Sequence, residues 1–161
     1  MSDLFHKDVP LSYIQSVFET MNKADWHVFQ VLTKRAERLA DLSPSLSWSD
    51  NIWAGVSLES SDYLYRVDYL KQSAARIKFL SVEPLLGSLK SLENHIDGID
   101  WVIVGGESGH GARPMDIEWV RELRDLCTAR GVKFFFKQWG GRNKKLAGRV
   151  LDQSTWDERP I

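Results

Sequence analysis

Strings rich in β-branched and aromatic residues recur along this chain at intervals of roughly 25 residues, separated by stretches patterned as helix or loop. They are HVFQVLT (27–33), NIWAGVSL (51–58), RIKFLSVE (76–83), DWVIVGG (100–106) and VKFFFKQWG (132–140). Strands that alternate with helices pair in parallel, because each strand must be carried back to the same end of the sheet by a crossover. A closed eight-unit barrel of this pitch needs about 200–250 residues, and the chain has 161. The expected architecture is therefore α/β, a partial and incomplete TIM-type barrel. An open five-stranded doubly wound sheet is the alternative.

The intervening segments support this reading. Leu11–Ala24 follows Pro10, shows Ser12 and Gln15 at capping-box spacing, and places Ile14, Val17, Phe18 and Met21 on one face. Thr33 is positioned to cap the helix carrying Ala36, Leu39 and Ala40. A helix is expected over 62–74 with Tyr63, Val67, Leu70 and Ala74 aligned, and another over 116–130 with Ile117, Val120, Leu123 and Cys127 inward. Gly131 suits a left-handed helix end. Residues 1–5 read as a strand-like stub, 85–98 as a loop with a short helix, and Trp26, Trp53, Trp101 and Trp119 as core or partly buried. Residues 1–140 are expected to form one α/β domain and residues 141–161 a C-terminal surface tail.

Composition removes several function classes. Cys127 is the single cysteine, so a disulfide framework, a cysteine zinc site or an iron–sulfur cluster cannot be built from this chain's own thiols. The net charge of −1 gives no overall field toward nucleic acid, although Arg142, Lys144, Lys145 and Arg149 form a local basic run. No apolar run reaches membrane-spanning length, and MSDLFHKD lacks the basic start and apolar core of a secretory leader. A cytoplasmic location is expected.

In parallel α/β folds ligands bind at the carboxyl ends of the strands. In this chain those ends carry Asp3 and His6, then Thr33, Lys34 and Arg35, then Ser57 and Glu59, then Glu83, then Gly105, Gly106, Glu107 and Ser108, and finally Lys137, Gln138 and Trp139. Glu83, Glu107 and Lys137 are the candidate catalytic groups; Thr33, Arg35, Ser57, Gly105, Gly106, Ser108, Arg113 and Gln138 are the candidate ligand-binding groups. Lys137 leaves an aromatic strand and needs either a carboxylate partner or a ligand anion. The loop GGESGHGARP fits neither the nucleophile elbow, the dinucleotide fingerprint nor the Walker loop. Its glycines still let backbone approach a ligand, and Arg113 offers an anion contact. Asp3 and His6 with Glu83 or Glu107 would suit a hard metal, the basis of a metal-dependent hydrolase alternative; Arg35, the glycine loop and Lys137 would suit a nucleotide- or phosphate-binding module.

The strings MSDLFHKDVP, FQVLTKRAERL, WAGVSLES, FLSVEPLLG, IDWVIVGGESGHGARPM, VKFFFKQWG and LAGRVLDQSTWDERP together resemble successive motifs of a phage-associated family of unknown function. Members of that family resemble radical S-adenosylmethionine barrel proteins. The resemblance runs from Met1 to Pro160 and implies an active-site edge at Glu83, Glu107 and Lys137, with S-adenosylmethionine as a possible cofactor. Full-length members carry an upstream three-cysteine motif without counterpart here. The chain thus resembles the C-terminal two-thirds of the family, and an iron–sulfur cluster would need that segment to be supplied. A partial barrel exposes sheet edges, so a homodimer or a separate N-terminal fragment is the expected partner.

Overall fold

The computed structural model describes residues 3–160, with the side chains of Lys144 and Lys145 left out. Five strands form one parallel sheet: β1 (Phe29–Thr33), β2 (Ile52–Ser57), β3 (Lys78–Val82), β4 (Trp101–Gly105) and β5 (Lys133–Gln138). The helices are α1 (Leu11–Lys23), α2 (Ala36–Leu42), α3 (Tyr65–Lys71), α4 (Ile117–Arg130) and a short α5 (Lys144–Ala147).

Spatial strand order follows chain order, β1-β2-β3-β4-β5, and the sheet is open. The doubly wound alternative is corrected in one respect: an order without reversal has no switch point. Right-handed crossovers then deliver every helix to the same face, as in a section cut from a barrel.

Side-chain alternation shows this directly. On the helix side, Ile52, Ala54, Val56, Leu80, Val82, Val102, Val104, Phe134 and Phe136 join one core with Ile14, Phe18, Leu39, Val67, Leu70, Val120 and Leu123. The opposite, concave face holds a second cluster of Trp53, Phe79, Trp101 and Ile103, flanked by Ile77 and Phe135. Gly55 makes room on that face, since a Cβ there would lie 2.3 Å from the Phe79 ring.

Several local expectations change. The stub at 1–5 is not a strand over its described residues. The Asp3 carboxylate accepts from the Phe5 amide at 3.0 Å and turns the chain there; residues 1 and 2 lie outside the described residues. The capping box is absent because α1 starts at Leu11, which puts Ser12 inside the first turn; Pro10 is the N-cap, and Gln15 instead donates to the Ser45 carbonyl at 3.1 Å. Thr33 does not cap α2, whose N-cap is Arg35; its hydroxyl accepts from the Arg35 amide at 2.9 Å and steadies the preceding turn. The segment 62–74 divides into a 3-10 turn (Ser61–Tyr63) and α3, so Ala74 falls outside the helix and Ala75 is buried in its place. Ile117 sits at the exposed first turn of α4, and Trp26 stands in a turn before β1 with 74% of its surface exposed.

The two sheet edges differ. Beyond β5, residues 154–158 run antiparallel to the strand: the Phe136 amide donates to the Trp156 carbonyl at 2.9 Å and the Glu158 amide to the Phe134 carbonyl at 3.2 Å. Leu151 is fully buried and anchors this segment. Along β1, by contrast, no strand pairs with the outer side among the described residues.

Candidate ligand site on the concave face

Period-two alternation aims Ser81 and Glu83 from β3 and its C-terminal end, and Phe135 and Lys137 from β5, at the concave side. The Lys137 ammonium lies 2.8 Å from a Glu83 carboxylate oxygen, while the Ser81 hydroxyl donates to the other at 3.2 Å. The pair spans β4, which separates their strands. It can do so because the intervening position is Gly105, where a Cβ would come within 3.2 Å of Glu83 Oε2. Glu83 is 21% and Lys137 53% exposed, so the pair stands at a rim open to solvent. Below it lies a cavity of about 350 Å³ with Phe79, Trp101, Ile103 and Phe135 as its floor. The Trp101 ring meets Phe79 at 5.9 Å, Phe135 at 6.0 Å and Trp53 at 6.1 Å between centroids. An ion pair over an aromatic floor can accept a flat ring below and a zwitterion or dipole above.

The other expected residues fall into separate groups. Glu107 forms a bidentate pair with Arg113, Nε–Oε2 2.8 Å and Nη2–Oε1 3.0 Å, and also accepts from the Arg113 amide at 2.9 Å. Gly106, Ser108 and Gln138 zip the β4 and β5 exits together: the Gly106 amide donates to the Gln138 carbonyl at 2.9 Å, and the Gln138 side chain donates to Ser108 Oγ at 2.8 Å. Gly106 itself lies against the Trp139 carbonyl, where a Cβ would come within 2.0 Å. Thr33 and Arg35 turn toward Asp3, at 2.7 and 3.4 Å. Ser57 contributes its carbonyl, which accepts from Arg66 at 2.8 Å. Asp3 and His6 do not converge with Glu107: His6 faces Asp8, and among the described residues no group of three His, Cys, Asp or Glu side chains is placed to hold a metal.

Glu107 is held at a pKa of about 2 by the hydrogen bonds from Arg113. Because its folded value is depressed, the clamp contributes fully above the ordinary glutamate range and is lost as pH falls from about 4.5 toward 2. The protection factor of the Arg113 amide is therefore expected to hold at pH 5 and to fall below pH 4, ahead of those of the sheet amides. Arg113→Ala keeps the backbone donor but loses the two side-chain bonds to Glu107, so protection of that amide should be reduced at every pH.

Two features escape a reading by strand ends alone, the first being the buried Arg66 that joins the strand-end residues Glu59 and Lys34. Glu59 is buried and sits between Lys34, its close partner, and Arg66, whose Nη1 is 3.0 Å away. Burial raises its pKa, but the Lys34 hydrogen bond and the two cationic charges outweigh this and hold it below the usual value. Arg66 also stacks 4.1 Å from the Tyr63 ring centroid. The second is the aromatic floor. Trp53 and Trp101 read as core, and they are buried, yet they belong to the face that no helix covers. The missed signal is that β2 to β5 carry large apolar groups on both parities while the helical segments supply one layer of cover.

The class of protein is a one-sided, five-stranded parallel α/β sheet with a charged rim above an aromatic concavity. A family model described as "Protein of unknown function (DUF5131)" matches residues 1–160. The chain belongs to that family. No curated protein and no solved structure matches it.

Proposed function

We propose that the concave face binds a small zwitterionic ligand carrying a flat ring, of the S-adenosylmethionine type. The Glu83–Lys137 pair above the Phe79–Trp101–Phe135 floor carries this reading. Lys137 would meet the ligand carboxylate and Glu83 its ammonium, exchanging one charge-assisted pair for two, while the ring lies on the aromatic floor. The resemblance to phage-associated proteins of radical S-adenosylmethionine barrel type supports the same ligand class. Bound there, S-adenosylmethionine would supply its sulfonium carbon bonds for transfer or cleavage; the chain's own residues bind and orient it.

The residues do not fit a cysteine-ligated cluster. Cys127 is the single cysteine, lies in the helix-side core on α4, and burial, with the Glu158 charge, pushes its thiol up to about 12. No redox step is assigned to the chain.

Calorimetric titration with S-adenosylmethionine should show saturable binding. Lys137→Met and Glu83→Gln should each weaken it by about tenfold or more, the scale of a lost hydrogen bond to a charged group. Absence of binding by the wild type, or wild-type affinity in both variants, refutes the reading. Heat on titration with ATP or inorganic phosphate alone would replace it with a phosphate-binding function.

A further inference from the structure

A cavity of about 430 Å³ lies past the C-terminal end of β1, between the turn at 5–7 and Tyr65 at the start of α3. It shares no lining residue with the concave cavity, and none of its walls comes from β1. Lys7, Lys34, Arg35 and Arg38 all border it, and Glu37 is the one acidic side chain on its wall. Cations gathered round one hollow repel each other unless anions answer them.

The carboxylates nearby answer only part of that charge. Glu59 takes Lys34, but it also holds Arg66 at 3.0 Å and is shared between the two. Asp3 lies 3.4 Å from Arg35, while its oxygens already accept from the Phe5 amide at 3.0 Å, the Thr33 hydroxyl at 2.7 Å and the Lys34 amide at 3.1 Å. Arg38 donates to the Val9 carbonyl at 2.6 Å and to the Phe5 and His6 carbonyls. Carbonyls orient a guanidinium and leave its net charge in place. Among the described residues neither Arg38 nor the exposed Lys7 has a carboxylate partner. The walls are also set without a ligand: Arg38, from α2, ties down the turn that carries Lys7, and Asp3 fastens that turn to the Lys34 amide.

We propose that this cavity binds the phosphate group of a small-molecule phosphate ester. A phosphate spreads up to about two negative charges over three free oxygens and accepts from guanidinium and ammonium donors on several sides at once. The volume falls in the range of small-molecule sites and leaves room for an organic body beside the partly exposed Tyr65. The cations converge on a hollow rather than forming a stripe, and the net charge of −1 gives no long-range pull; both favour a small molecule over a nucleic-acid backbone.

Amide NMR shifts of the full chain, titrated with ribose 5-phosphate and with inorganic phosphate at constant ionic strength, test this. Amides of residues 5–7 and 34–38 should move saturably, with about millimolar affinity or tighter for the sugar phosphate and weaker binding of the free ion. Those of Glu83 and Lys137 should stay in place. The site uses neither of these residues, so its failure and that of the concave-face reading are separate results. Lys7→Gln and Arg35→Gln should each weaken binding about threefold, the scale of an exposed charge contact, and the double variant about tenfold. Both replace exposed side chains, and unchanged sheet amides certify the fold. Unaltered affinity in the double variant, no movement of the named amides, or shifts confined to Glu83 and Lys137 overturns the proposal. So does equal affinity for the free ion, or tighter binding of a short DNA duplex through the same amides.

Discussion

Gly106→Ala is expected to cost about 3–5 kcal/mol and to leave the protein marginally folded at room temperature. The added methyl would stand 2.0 Å from the Trp139 carbonyl oxygen and 3.3 Å from the Gly140 amide nitrogen. Both obstructing groups are backbone, held by the Gly106-to-Gln138 hydrogen bond and by the Gly141 amide donating to the Glu107 carbonyl at 2.7 Å. No rotamer change can relieve the clash, so the β4 and β5 exits must separate. Against a total stability on the order of 10 kcal/mol, such a loss is a large fraction. Gly87→Ala is the matched control: nothing lies within 4 Å of its Cβ, and its φ is not positive, so its midpoint should stay within about 0.5 kcal/mol of wild type. Urea denaturation of both variants checks the pair. A Gly106→Ala midpoint near that of Gly87→Ala would mean the two exits are not in close contact.

Phe136→Ala is expected to cost about 3–5 kcal/mol, and Phe135→Ala, next to it in sequence, about half as much or less. Phe136 is fully buried on the helix side and packs edge-on against Trp139 at 4.8 Å. Phe135 lies on the concave face, half-buried, with Trp101 at 6.0 Å on one side and Arg149 over its ring at 5.0 Å. Truncating Phe136 leaves a closed void, whereas water can fill the space left by Phe135. Thermal or chemical denaturation of the two variants reads the one-sidedness of the core. Equal losses would contradict it.

The parallel α/β order was legible because it rests on composition repeated over the whole length: the five long strand runs were in place with shifts confined to their ends, and only the short run at the N-terminus failed. The ends moved where a single side chain overrode a pattern. Asp3 folded a strand-like run into a turn by taking the Phe5 amide, and Pro10 displaced a capping box by letting α1 begin two residues before the start that a Ser12 cap would set. Winding was not legible, since alternation of strands and helices is common to sheets covered on one face and on both.

At the rim, the need of Lys137 for a carboxylate was readable from its aromatic strand, but two glutamates satisfied it equally well on paper. The choice depends on Gly105, which leaves the gap that Glu83 fills, and on Arg113, which takes Glu107 six residues away in the same loop. Arg66 gave no signal, because a positive charge in a helical segment ordinarily faces water; its burial follows from Glu59 and Tyr63 lying beneath it.

The antiparallel run of residues 154–158 along β5 also bears on what can attach to the sheet. The Trp156 carbonyl and the Glu158 amide answer the outward Phe136 amide and Phe134 carbonyl from within the chain. A passing extended polypeptide therefore finds that flank already engaged and must displace the segment before it can attach there.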